Sequence, residues 1–190
     1  HILPFTPYSS DDGFSVIDYF EVDPDLGDWL DIEAIGEDFD LMADLVINHC
    51  SVESKWFKEF LAGQGEGKDF FISVPDSFDT SRVIRPRSSP LLKTVQTAEG
   101  EQRIWCTFSH DQVDLNFKNP DVLYAFIRLL KFLVGKGVKQ FRLDAIAFLW
   151  KESGTPCVHL KETHEVVKLI RLILEQLNPE SVLITETNVP

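Results

Sequence analysis

Residues 138–145 read VKQFRLDA, a strand-like run that closes on an arginine and an aspartate two positions apart. Three more runs rich in Ile, Val, Leu and Phe occupy residues 2–5, 41–48 and 182–186. Continuous apolar runs of this length suit parallel strands that are buried on both faces. Amphipathic segments separate the runs, and this alternation is typical of βαβ units. The sequence therefore predicts an α/β fold around a parallel sheet.

Two helices are predicted among these strands. Asn119 is suited to cap a helix N-terminus, Pro120 suits the first helical position, and Gly135 follows the last apolar turn. Apolar residues recur at helical spacing between these ends and again over residues 162–177. We expect both apolar stripes to face the core.

Residues 63–116 interrupt the alternation. Glycine, serine, proline and charged residues surround only brief apolar patches there. The segment is too long for an ordinary connection in a compact domain. We expect a loop-rich, inserted subdomain within one α/β domain over residues 1–190, and we expect it to carry functional residues.

Composition excludes several classes of partner. The chain has 18 Lys and Arg residues against 31 Asp and Glu residues, a formal net charge of −13 at pH 7. That charge repels nucleic acid and anionic membrane surfaces, and no apolar run is long enough to span a bilayer. Cys50, Cys106 and Cys157 lack CxxC or zinc-finger spacing, so they are interpreted as reduced thiols of a cytoplasmic protein. We expect no metal and no cofactor, and the oligomeric state stays open.

Polar residues close three of the predicted strands. The runs end in Asn48 and His49, in Arg142 and Asp144, and in Glu186. Each alone could be a cap or a salt-bridge partner. In a parallel α/β fold, however, the site lies beyond the carboxyl ends of the strands. Together these residues predict an active site.

The residue types at these strand ends predict acid/base and nucleophilic chemistry. Arg142 and Asp144 face the same side of their strand, so the arginine can hold the carboxylate ionised. Glu186 closes the next strand, at a spacing of roughly 4.8 Å, which suits the roughly 5 to 5.5 Å gap of retaining glycosidases. We expect Asp144 to keep a low pKa and attack an anomeric carbon, with Glu186 as general acid and later base. His49 is a candidate donor to sugar hydroxyls, with a structural role as the alternative.

The strand-end motifs resemble family 13 of the glycoside hydrolases, the α-amylase family. DLVINH at residues 44–49 resembles its first signature, FRLDA at residues 141–145 its second, and ITET at residues 184–187 its third. The resemblance implies a (β/α)8 barrel, which usually takes about 250 residues. We therefore expect a partial barrel, about strands two to five, with the insertion after the third strand and a fourth signature beyond Pro190.

The resemblance also implies roles for the strand-end residues. Asp144 would be the nucleophile, Glu186 the acid/base, Arg142 the group that orients the nucleophile, and His49 a contact to the sugar. These roles agree with those expected from the residue types.

Finer features are similar to the sucrose phosphorylase and glucosylglycerate phosphorylase branch of the family. The aspartate matching Asp11 hydrogen-bonds glucosyl hydroxyls there, and the aromatic residue matching Phe14 lines the pocket. Arg85 and Arg87 resemble another branch feature and offer positive charge to a phosphate, with a solvated basic loop as the alternative. Phe148 stands where sucrose phosphorylases carry Tyr, which leaves the acceptor open among fructose, glycerate and other small polyols.

The resemblance implies an enzyme of carbohydrate metabolism that transfers a glucosyl group with retention. The group would pass from an α-glucoside such as sucrose or glucosylglycerate, through a covalent glucosyl-Asp144 ester, to inorganic phosphate as α-glucose 1-phosphate. An α-glucosidase or an amylosucrase-like transglycosylase is one alternative, with water or a glucan as acceptor. An inactive fragment that only binds sugar or contributes packing is the other, and we expect the 190 residues alone to be inactive.

Overall fold

The computed structural model describes residues 1–186. Within them, the four α-helices are α1 (Trp29–Asp38), α2 (Lys55–Ala62), α3 (Pro120–Gly135) and α4 (Lys161–Leu177). The strands of the same part of the chain are β1 (Leu41–Val46), β2 (His49–Ser51), β3 (Leu92–Thr97), β4 (Gly100–Trp105), β5 (Gln112–Asp114), β6 (Val138–Asp144) and β7 (Val182–Thr185).

The centre of the fold is a parallel sheet with the strand order β1, β6, β7. Val46 lies opposite Asp144 at the end of β1, and Leu143 lies opposite Thr185. Helix α3 precedes β6 and helix α4 precedes β7, as consecutive βα units require. The α/β prediction is confirmed, and the carboxyl ends of all three strands meet at one edge.

The strand predicted at residues 2–5 is reduced to a single bridge. Ile2 pairs in parallel with Ala43, and its backbone N–H donates to the Met42 carbonyl at 3.0 Å. Apolar composition alone overestimated this strand, because regular pairing needs several consecutive residues in register. The bridge nevertheless places the N-terminal segment beside β1.

Both predicted helices are present. The Asn119 side chain accepts a hydrogen bond from the Asp121 backbone N–H at 3.0 Å, and Pro120 takes the first helical position. The apolar stripe of α3 is buried, and α4 buries Ile170 and Leu174. Helices α1 and α2 lie outside the predicted set, although side-chain N-caps begin both.

The segment over residues 63–116 is more regular than the loop-rich prediction. Strands β3 and β4 form an antiparallel hairpin, and β5 pairs antiparallel with β2. In that second pairing, His49 lies opposite Asp114 and Ser51 lies opposite Gln112. The segment therefore returns to the carboxyl end of β1, where its last strand, β5, pairs with β2.

The interior holds the three cysteines as free, buried thiols. Burial raises the pKa of Cys50 and of Cys106 to about 12. None of the helices in residues 1–186 has both the length and the apolar character needed to cross a bilayer.

Candidate active site

A cavity of about 730 Å³ opens at the carboxyl ends of β1, β6 and β7. Its lining includes all nine residues predicted as site residues, namely Asp11, Phe14, His49, Arg85, Arg87, Arg142, Asp144, Phe148 and Glu186. These residues come from five separate parts of the chain. The fold brings them together because strands β1, β6 and β7 end at one edge and the insertion folds back over it.

The Arg142 guanidinium forms its closest ion pair with Asp44, not with Asp144. Asp44 and Arg142 lie directly opposite each other in the β1–β6 pairing, so their side chains share one face of the sheet. The second Asp44 oxygen is 2.7 Å from His1 Nε2, and the Asp44 side chain has 0% exposure. Arg142 also approaches Asp144 at 3.8 Å and Glu186 at 3.9 Å. One guanidinium is therefore shared among three carboxylates.

The expectation of a low pKa for Asp144 is wrong. Burial raises the pKa of this carboxyl, the nearby Glu186 carboxylate raises it further, and Arg142 only partly opposes both effects. The resulting pKa is about 7. The main physical reason is the burial of the carboxyl, and the pairing of the Arg142 guanidinium with Asp44 limits how far the arginine can offset it.

Backbone geometry after β6 and β7 positions the two candidate catalytic carboxylates. The Glu186 N–H donates to the Leu143 carbonyl at 2.9 Å, so Glu186 is held beside the end of β6. Ala145 has a left-handed backbone with φ of 55°, and its N–H points to Glu186 Oε2 at 3.5 Å. Asp144 and Glu186 thus lie on neighbouring strand ends, and the spacing expected of a retaining enzyme stays a prediction.

His49 lies in the wall of the cavity and is almost fully buried, with 1% exposure. Its Nε2 donates to the Phe14 carbonyl oxygen at 3.0 Å. Burial lowers its pKa, an effect that the Asp114 carboxylate only partly opposes, so the ring is neutral at pH 7. Asp11 is exposed to the cavity, and the Phe14 ring faces Arg142 with its centroid 5.9 Å from the guanidinium carbon. Of the predicted residues, His49 and Asp11 provide the polar side chains on this wall of the cavity.

Aromatic rings also line the cavity. The Phe108 ring packs against His49 with centroids 5.0 Å apart and edge-on against Phe148 at 5.5 Å. Arg87 lies over the Phe108 ring at 5.8 Å, and Arg85 donates to the Thr107 carbonyl at 3.3 Å. Both arginines belong to the insertion and line the cavity. Phe108 was missed from the sequence, because an aromatic residue in an irregular segment has no periodicity to mark it.

A buried lysine joins three of the segments that carry the cavity residues. Lys151 Nζ is 2.7 Å from Asp114 Oδ2 and 3.1 Å from Asn48 Oδ1, and it also contacts the Phe148 carbonyl oxygen. The lysine is 3% exposed, and its aspartate and asparagine partners are 0% exposed. The ammonium thereby ties the insertion, the end of β1 and the segment after β6 together. A single lysine in a connection carries no sequence signal of this role.

Gln112 was also missed from the sequence. Its side-chain amide donates to Asp11 Oδ2 at 2.9 Å and to the Phe14 carbonyl at 3.3 Å. Its position opposite Ser51 in the β2–β5 pairing depends on contacts across more than sixty residues, which local patterns do not encode. Over residues 1–186, the side chains form no group of three or more His, Cys, Asp or Glu arranged to hold a metal ion.

Comparison with known proteins finds a matching family. The family described as alpha amylase, catalytic domain, matches residues 2–188. The glucosylglycerate phosphorylase of Spirochaeta thermophila is 56% identical over 190 residues, which are 100% of this chain and 32% of that protein. The glucosylglycerate phosphorylase of Escherichia coli is 50% identical over 191 residues, covering 100% of this chain and 34% of that protein. The chain thus spans about a third of the length of the curated relatives it matches.

A solved structure shows the same fold. The sucrose 6F-phosphate phosphorylase from Thermoanaerobacter thermosaccharolyticum superposes with a TM-score of 0.90 at 30% sequence identity, over 98% of this chain and 41% of that chain. The described strands and helices therefore correspond to part of a (β/α)8 barrel, and the prediction of a partial barrel is confirmed.

Proposed function

The chain belongs to the α-amylase catalytic-domain family, and from this premise we propose that its site transfers a glucosyl group from an α-glucoside to inorganic phosphate. The observation that carries the proposal is the shared cavity, which is lined by the carboxylates Asp144 and Glu186, by a wall that contains His49 and Asp11, here called the sugar-facing wall, and by Arg85 and Arg87. The phosphorylases among its relatives support the same reaction class.

The first step of the proposed reaction forms a covalent intermediate. The Asp144 carboxylate attacks the anomeric carbon, the glycosidic bond breaks, and protonated Glu186 gives its proton to the leaving oxygen. The product is a glucosyl ester of Asp144 and a free acceptor alcohol. Because the pKa of Asp144 is about 7, this carboxyl is ionised in only a fraction of the molecules at neutral pH. Approach of a cation, or loss of the negative charge of Glu186, would raise that fraction and so favour attack.

The second step returns the nucleophile. A phosphate oxygen attacks the same anomeric carbon, Glu186 takes up the proton of that oxygen, and Asp144 leaves as a carboxylate. Two inversions give net retention, and the product is α-glucose 1-phosphate. Arg85 and Arg87 supply the positive charge that a phosphate needs on a chain with a formal net charge of −13.

The preferred glucoside is a finer proposal. We propose a glucoside of glycerate, because relatives with this named activity match the entire chain. Phe148 then replaces a tyrosine in the wall near the acceptor, which removes one hydroxyl from that wall. Sucrose and other small glucosides remain the alternatives to be tested.

The experiment measures the fate of the glucosyl group. A polypeptide of the relatives' full length that contains this sequence is incubated with glucosylglycerate or with sucrose, with and without inorganic phosphate. We expect α-glucose 1-phosphate only when phosphate is present, and faster turnover of glucosylglycerate. Release of glucose at the same rate with and without phosphate would instead establish a hydrolase. The Asp144→Asn variant is the control for contaminating activity, because it lacks the attacking carboxylate.

A further inference from the structure

The segment that presents Asp11 to the cavity is a tight loop over residues 7–17. The backbone N–H of Ser9 donates to the Ser15 carbonyl at 3.0 Å, and that of Ile17 donates to the Pro7 carbonyl at 2.7 Å. At the tip, Asp11 and Asp12 have left-handed backbones with φ of 57° and 51°. Residues other than glycine adopt this conformation only when their surroundings hold them in it.

One carboxylate oxygen of the insertion holds the serines of this loop. Asp111 Oδ2 accepts hydrogen bonds from the hydroxyls of Ser9 at 2.6 Å and Ser15 at 2.8 Å, and from the Ser10 hydroxyl. Ser15 has 0% exposure, and the Ser9 hydroxyl also lies 2.6 Å from that of Ser51. Partial burial raises the pKa of Asp111, but the three hydroxyls outweigh this effect and the net pKa lies below the ordinary value. The carboxylate is therefore ionised at neutral pH.

The neighbouring residue, Gln112, contacts the same loop. Gln112 donates to Asp11 Oδ2 and to the Phe14 carbonyl oxygen, at 2.9 and 3.3 Å. Asp111 thus holds the residues just before and just after the tip, while its neighbour Gln112 holds the tip. Asp111 can therefore influence the position of Asp11 without contacting the sugar itself.

We propose that Asp111 is a positioning residue for the donor sugar, which acts through the serine loop on Asp11. This inference rests on the proposed function, because it takes Asp11 as a contact to the glucosyl hydroxyls. Asp111 binds neither the sugar nor phosphate. It keeps the left-handed tip in the one conformation that presents the Asp11 carboxylate to the cavity.

The test is a double-mutant cycle in a polypeptide of the relatives' full length that contains this sequence. Asp111→Asn keeps the size of the side chain and removes its charge, and Asp11→Ala removes the contact on which it acts. We expect Asp111→Asn to lower kcat/KM for glucosylglycerate by about 10- to 100-fold, through KM more than kcat, since hydrogen bonds to a charged group are lost. The KM for inorganic phosphate should not change. The double variant should be no worse than Asp11→Ala alone, because coupled residues are not additive.

Two results would overturn the proposal. If the losses of the two single variants multiply in the double variant, Asp111 does not act through Asp11. If Asp111→Asn lowers the melting temperature but leaves KM for the glucoside unchanged at a temperature where the protein is folded, its role is only structural. Should Asp111→Asn fail to fold, Ser10→Ala removes one of the same hydrogen bonds and is expected to raise the KM for the glucoside.

Controls separate this proposal from the proposed function. Asp76 lies in the same insertion, pairs with Arg103 and is 97% exposed, so Asp76→Asn should leave every kinetic constant unchanged. Binding of D-glucose, measured by calorimetry, does not depend on the acceptor. A hydrolase that binds glucose more weakly after Asp111→Asn would support the positioning role while refuting phosphorolysis, and unchanged glucose binding would refute the positioning role in either case.

Discussion

Replacement of Asp144 by asparagine should stabilise the fold at alkaline pH. The carboxyl has a pKa of about 7 in the fold against a model value of 3.8, so ionisation is about three pKa units less favourable when the chain is folded. Three units correspond to about 4 kcal/mol. Below pH 3.8 both states are protonated and this cost is absent. Between these pKa values only the folded state keeps the proton, so stability falls as pH rises, and the whole cost is present above pH 7.

Asp144→Asn removes the ionisable group and with it the pH-dependent cost. We expect the free energy of unfolding of the variant, relative to the wild type, to rise by about 2 to 3 kcal/mol between pH 5 and pH 8 and then to level off. The lost attraction to Arg142 reduces the absolute gain, but the change between the two pH values depends mainly on the titration. Urea unfolding followed by tryptophan fluorescence at several pH values measures it.

The control for this experiment is Asp40→Asn, which removes an exposed carboxylate that pairs with Lys139 at the surface. Its effect on stability should be small and the same at both pH values, since surface pairs contribute little. A stability difference for Asp144→Asn that does not change with pH, or that shrinks toward pH 8, would refute the reasoning. If Asp144→Asn is more stable than the wild type but no longer transfers glucosyl groups, the wild type keeps its candidate nucleophile at the expense of folding stability.

Two further predictions concern buried groups. Lys151→Met removes the cation that pairs with the buried Asp114 carboxylate, which keeps its hydrogen bonds from Asn48 and Thr107. We expect the variant to be less stable by about 3 to 5 kcal/mol in a denaturant titration, with part of the loss recovered in Lys151→Met/Asp114→Asn. A loss below about 1 kcal/mol would contradict the ion pair. Burial raises the pKa of Cys50 and of Cys106 to about 12. We therefore expect neither thiol to react with a thiol-specific disulfide reagent at pH 8 unless urea is added. Fast labelling of the native chain would contradict the burial of these thiols.

Local patterns were sufficient for the strands of the sheet and for the ends of α3. The Asn119 cap and Pro120 act within a few residues, so the sequence itself contains the interaction that begins the helix. The polar residues that end β1, β6 and β7 were found because parallel strands place their carboxyl ends at one edge. The other predicted residues that line the same cavity, Asp11, Phe14, Arg85, Arg87 and Phe148, were predicted from the family resemblance and not from local patterns.

The partner of Arg142 could not be found in this way. Arg142 and Asp144 are close in sequence, but Asp44 is placed opposite Arg142 by the register of two strands almost one hundred residues apart. The wrong pKa expected for Asp144 follows mainly from the burial of its carboxyl in the folded chain, and only in part from that missing register. Local sequence spacing shows which side chains share a face, but not which of several carboxylates a guanidinium will contact.

The hairpin of β3 and β4 was missed for a different reason. Its two-residue turn is Ala98-Glu99, without the Asn-Gly or Asp-Gly pair that marks many hairpins, although Gly100 follows it with φ of 112°. The strands also carry many polar residues, because one face is exposed. A weak turn signal and a weak apolar pattern together gave the appearance of a loop.

The pairing of β2 with β5 has a consequence for how the chain folds. Cys50 and Val113 face each other across this pairing, and the intervening chain must close a loop of more than sixty residues before the pair can form. Contacts over such separations slow folding, since their entropy is lost before any stabilisation is gained. The serines that bind Asp111 are farther still along the chain, about one hundred residues away. We expect the sugar-facing wall to assemble late, after the helices and the central parallel strands have found one another.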